Sequence, residues 1–192
     1  MMKNNLTYIG LISLLIVVIV FGALYSIDLK NMEEGKPVLF STWGKKYSPV
    51  EDSDVVEIRK AINNYIVSQQ EETSKSANEK WFCADKTYMI SKNDDVFVAY
   101  SWICASGYIN RYNGELLEGS SFSMPHKFTL VKNNDVFEVT EVIIPGDGAL
   151  YLEDLKTHFP EKVVNDILKA DTDGTVDQLQ IDIQNQIAQI HK

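Results

Sequence analysis

Over residues 80–144 the chain is dominated by Val, Ile, Phe, Tyr, Trp and Thr, interrupted at intervals by Asn- and Asp-rich turns. This is the pattern of antiparallel strands joined by tight hairpins. Ser91-Lys92-Asn93-Asp94-Asp95-Val96-Phe97 and Val131-Lys132-Asn133-Asn134-Asp135-Val136-Phe137 are near copies. Each places Asn and Asp where a turn needs φ > 0, and Asn113-Gly114 supplies a third signal of the same kind. Four strands are predicted, at about 80–91, 96–112, 120–131 and 136–144.

Two-residue loops at 93–94, 113–114 and 133–134 imply a register, because side chains alternate strictly between the two faces of a strand. One face then collects Phe82, Ala84, Tyr88 and Ile90, then Phe97, Ala99, Ile103 and Ala105, and continues through Phe122, Met124, Phe128, Leu130, Phe137, Val139 and Ile143. Lys86, Ser101, His126 and Glu141 interrupt it as one polar row across all four strands. Inside an open apolar pocket such a row would orient a ligand, and Glu141 would favour the charged form of His126. The competing reading leaves the row uncovered by any helix, with Lys86 reaching water and the others bonding one another. On the opposite face the same register sets Cys83 across from Cys104, within disulfide reach. A staple on one hairpin and two small buried thiols are both open readings.

The flanks of this segment read as helices. Val55, Ile58, Ile62, Tyr65 and Ile66 form one apolar stripe of a helix over about 54–70, with Asp54 and Glu57 at capping-box spacing. That stripe is the natural cover for the apolar face of the sheet. After the Pro145-Gly146-Asp147-Gly148 turn, Leu150–Phe159 and Glu161–Ala170 are two short helices divided by Pro160. A last helix carries Val176, Leu179, Ile183, Ile187 and Ile190 as a stripe that could pack on the domain or on a partner helix.

Ahead of all this, Tyr8–Ile27 contains no charged residue. At about 1.5 Å rise per residue, a helix of that length matches the roughly 30 Å of a bilayer core. The expected organisation is a signal anchor over 1–28, a stalk with a short strand at Val38–Trp43 over 29–50, an α+β domain over 51–148 and a C-terminal helical extension over 149–192. Retention of the segment gives a single-pass protein of the cell membrane with its domain outside the cytoplasm; cleavage gives a secreted one.

Composition removes several function classes. With 18 Lys and Arg against 27 Asp and Glu, the chain lacks the basic surface that nucleic acid requires. Two Cys cannot form a disulfide scaffold, and His126, His158 and His191 lack metal-ligand spacing, so no metal or cofactor is expected. No Gly-rich phosphate loop or nucleophile elbow is present, and no catalytic residue is assigned.

One helix on a four-stranded antiparallel meander, after a signal anchor, resembles the cystatin-like and NTF2-like α+β folds. The resemblance covers about 36–144 and is architectural, so it carries no catalytic residue over. The Ile144–Pro160 segment, Ile-Pro-Gly-Asp-Gly-x3-Leu-x2-Leu-Lys-x2-Phe-Pro, resembles a tail of small exported proteins of low-GC Gram-positive bacteria. Two functions follow as expectations. The first is a non-enzymatic module tethered outside the membrane that binds a peptide, an envelope component or a partner protein. The second is a small-molecule pocket, enzymatic or not, built on Lys86, Ser101, His126 and Glu141.

Overall fold

The computed structural model describes residues 18–28, 31, 50–74, 78–110, 116–170 and 172–190. Residues 18–28 are helical (α1), while Tyr8–Val17 and the expected strand at Val38–Trp43 lie outside the described residues. Among the described residues, no helix is long and apolar enough to cross a membrane.

The rest is an α+β fold in three layers. Helix α2 (Asp52–Thr73) precedes β1 (Glu79–Asn93), β2 (Val96–Asn110), β3 (Leu116–Asn133) and β4 (Val136–Ile143), which form one antiparallel sheet in that order. A 3-10 turn (Gly148–Leu150), α3 (Tyr151–His158), α4 (Glu161–Ile167) and α5 (Thr175–Ile190) follow. Helix α2 lies against one face and buries Ile58, Ile62 and Ile66 with Phe97, Ile103, Phe128 and Leu130. Its first turn differs from the expected capping box: Glu51 is the N-cap with no side-chain bond. Asp54 instead accepts from Lys132 Nζ on β3 at 2.8 Å.

The C-terminal stripe packs on the domain. Leu179 and Ile183 of α5, with Leu155, Phe159, Val163 and Ile167, cover Phe82, Tyr100 and Trp102 on the other face. Strand β2 is consequently buried on both sides and reads as a near-continuous apolar run rather than a half-buried alternation.

The β2–β3 register is the expected one from Val96↔Val131 to Ser106↔Ser121, and it sets Ser101 opposite His126. The other two hairpins differ. Their turns fall one residue later, at 94–95 and 134–135, where Asp94, Asn134 and Asp135 take positive φ. A bulge at Tyr88 and another between Thr129 and Leu130 each change the pairing by one residue and so reverse the faces beyond them. Cys83 therefore faces Ala105, and Cys104 faces Ala84. A one-residue slip moves a side chain through the sheet, so Cys83 joins the α2 core and Cys104 the α5 core. Both are free thiols, and the expected staple is not formed. Protein denatured without reductant should titrate two thiols per chain; a value near zero would contradict this register.

Candidate functional site

Two adjoining features occupy the α2-facing side of the sheet: a buried polar chain at its β1 end and an open apolar cleft at its β3–β4 end. The polar chain centres on Asp85, a carboxylate inside an otherwise apolar layer. Arg59 of α2 donates from Nε to Asp85 Oδ2 at 2.9 Å, and Asn63 donates to Oδ1 at 3.1 Å. Thr87 Oγ1 donates to Asp85 Oδ2 at 2.9 Å and lies 3.0 Å from Ser101 Oγ. A buried carboxylate is tolerated only when its charge is paired and its lone pairs are occupied, and the three bonds from Arg59, Asn63 and Thr87 do both. The Arg59 end is half exposed, so the pair is anchored at the domain surface.

The expected polar row is thus only partly assembled. Ser101 and His126 are neighbours, as expected. Lys86 faces Trp102 across the sheet, on the α5 side, and Thr87 takes its place beside Ser101. Glu141 pairs with Thr129, three residues along β3 from His126, and accepts from Thr129 Oγ1 on the exposed surface. Asp85 and Arg59 were not anticipated. Moving the first turn by one residue shifts the pairing by two and leaves each side chain on its face; the bulge at Tyr88, which the sequence does not mark, is what carries Asp85 and Thr87 onto the helix-facing side.

His126 is 1% exposed. Its ring stacks on Phe128 at 5.4 Å and lies 5.9 Å from Phe122, and Nδ1 sits 3.1 Å from the Met124 carbonyl. Burial depresses its pKa from 6.5 to about 4, against a smaller opposing effect of the Met124 bond. The imidazole is therefore neutral at physiological pH, and the carboxylate expected beside it lies elsewhere. Burial, reinforced by the charge of Asp85, pushes the Cys83 thiol well above its ordinary range. Cys83 shares a face with His126, contrary to expectation, but is a protonated thiol bonded to Asn63. Such a thiol is a poor nucleophile.

His126 forms part of the wall of a cleft of about 340 Å³ between the second half of α2 and the end of β4. Tyr65, Phe122, Met124, Val142 and Ile144 supply most of the remaining wall, and no charged side chain lines it. A larger open groove of about 820 Å³ lies at the β1 bulge, where Lys86, Asp173 and Asp182 join Arg59 and Thr87. Among the described residues, no cluster of His, Cys, Asp and Glu could hold a metal ion. Compared with protein-family models, with curated proteins and with solved structures, the chain matches none.

The His126 environment makes a pH prediction. The unfolded imidazole takes a proton near pH 6.5 and the folded one only near pH 4, so between these values acid favours the unfolded chain. From pH 7 to pH 5 this group alone should remove about 2 kcal/mol of stability. His126→Phe, which keeps a ring in the stack, should abolish that share of the loss in urea titrations at the two pH values. An unchanged pH dependence would show that His126 titrates normally.

Proposed function

We propose that the chain is a membrane-tethered extracytoplasmic binding module that receives its ligand in the cleft beside His126. The cleft carries the reading: an open cavity of about 340 Å³ with a mainly apolar wall, the amides of Gln69 and Gln70 and one neutral imidazole fits a site that binds. Neither Lys86 nor Glu141 stands beside the imidazole to pair with it in acid–base chemistry. One helix over a four-stranded meander supports the likeness to the cystatin-like and NTF2-like folds. The helices on the opposite face are additional to that scheme.

The tether rests on the uncharged run Tyr8–Ile27. All 27 acids and every base except Lys3 follow that run, so the part beyond it is more negative than the whole chain's −9. An anionic bilayer repels such a domain, which makes the membrane its mooring rather than its ligand.

A small-molecule pocket is the second reading, favoured by the groove at the β1 bulge. There the buried chain from Ser101 through Thr87 meets the exposed Lys86.

In the full-length protein, indole should shift the methyl resonances of Met124, Val142 and Ile144 and leave those of α5 unmoved. Met124→Trp, which fills the cleft, should abolish the shifts without lowering the melting temperature. Shifts confined to the β1 groove would favour the second reading. The membrane-bound protein should keep its encoded 21.8 kDa; loss of about two dozen residues would replace the tether by secretion.

A further inference from the structure

The two edges of the sheet are treated differently. On β1, the Asp85 carbonyl accepts from Arg59 Nη2 and the Cys83 carbonyl from Gln186 Nε2, each at 2.9 Å or less. Side chains from both helical layers thus occupy that edge, as an exposed strand edge requires if it is not to pair with other chains. On the opposite side β4 is much shorter than β3. It pairs only with Lys127–Asn133, so residues 116–126 of β3 are bonded to β2 alone.

The reason is two prolines. Lys127↔Ile143 is the last pair, and the next position of the same kind in that register would oppose Pro125 to Pro145. Neither has an N–H to donate. Along β3 the backbone alternates in direction. Thr129 offers its carbonyl to Thr140 on β4, whereas Lys132 donates its N–H to Asp95 on the β2 side. The β2–β3 register is unbroken from Val131 to Ser121, so Ser121 and Ser123 turn their N–H and C=O outward. Both are exposed. Among the described residues, no backbone group meets either one on that side.

This free edge adjoins the His126 cleft. A second cavity of about 550 Å³ continues it, sharing Gln70 and Phe122, and is lined by Glu79, Trp81 and Ser121. The Glu79 carboxylate rests over Gly107, where a Cβ would collide with Glu79 and Trp81. It accepts from Ser74 Oγ, and no cation among the described residues pairs with it. Trp81 Nε1 is buried without an acceptor among the described residues.

We propose that the edge of β3 at Ser121 and Ser123 takes an extended peptide segment of a partner, added as a strand beyond the end of β4. This names the ligand class of the cleft and rests on the binding-module reading. A free strand edge matches one chemistry, an extended main chain, and the cavities beside it accept alternate side chains. The cleft calls for an apolar side chain. Glu79 and the acidic chain call for a neutral or basic segment rather than an acidic one.

The test pans a displayed library of random ten-residue peptides against the full-length protein in nanodiscs. Enriched peptides should pair an apolar residue with a neutral or basic flank. Single N-methylation of the peptide backbone should weaken binding about tenfold at every second residue and little between them, since strand addition uses alternate N–H groups. Ser121→Pro should weaken the same peptides about tenfold while leaving the indole shifts at Met124 intact. N-methylation that acts at consecutive residues or at none overturns strand addition, as does a library with no binder while indole still binds. Failure of both peptides and indole removes the binding-module reading itself. If Ser121→Pro does not fold, the N-methyl series decides alone, because it leaves the protein unaltered.

Discussion

The register of β2 against β3 is the constraint on which the rest of the structure depends. Held without a shift from Val96 to Ser106, it turns Phe97, Ala99, Ile103 and Ala105 toward α2, and Tyr100, Trp102 and Cys104 toward α5. Both cores are organised around this one strand. A slip by one residue would exchange the two sets and bring the small Ala side chains under the α3–α5 layer and the large rings under α2. The mismatch in volume would leave voids on one face and crowding on the other, each of which costs stability. Trp102 adds a directional lock, since its Nε1 donates to Ser123 Oγ at 2.7 Å across the same pair of strands.

The elements and their order were legible in the sequence because apolar spacing and turn residues report them directly. The β2–β3 register was legible too, although the Asn113-Gly114 turn used to derive it lies outside the described residues. The outer strands were not. Asn93-Asp94-Asp95 and Asn133-Asn134-Asp135 each offer three turn-forming residues in a row, and composition does not say which two make the turn. The bulges at Tyr88 and near Thr129 leave no mark in the alternation at all. For β1, the net offset exchanged Cys83 and Asp85 for Phe82 and Lys86 on the helix-facing side. For β4, it carried Glu141 away from His126. The candidate site was therefore half visible: Ser101 and His126 sit on the strands whose register was right, Lys86 and Glu141 on those whose register was not.

The cleft and the free edge have a common physical origin. A sheet strand continues while its neighbour can exchange hydrogen bonds with it, and Pro125 facing Pro145 removes both donors at one step. Strand β4 ends there, β3 runs on, and α2 extends past the point where β4 would have supported it. The space left between α2 and β3 is the cleft. Two residues far apart in sequence thus fix the position of an opening that neither apolar spacing nor charge marks.

The two edges of the sheet are protected to different degrees. The β1 edge is occupied by Arg59 and Gln186, and Arg59 is in turn held by Asp85, so this half-buried ion pair contributes to edge protection as well as to packing. Such a pair is a weak source of net stability compared with apolar side chains of equal volume. Its value here is positional, because an apolar residue at 59 would leave the Asp85 carbonyl free to recruit another strand. At the β3 edge, residues 116–126 have no strand neighbour other than β2 among the described residues. Pro125 breaks this stretch by removing a donor, which weakens it as a template for self-association. The stretch is long enough to hold a peptide whose side chains also gain the apolar cleft, so selectivity would come from the requirement that both contacts be made together.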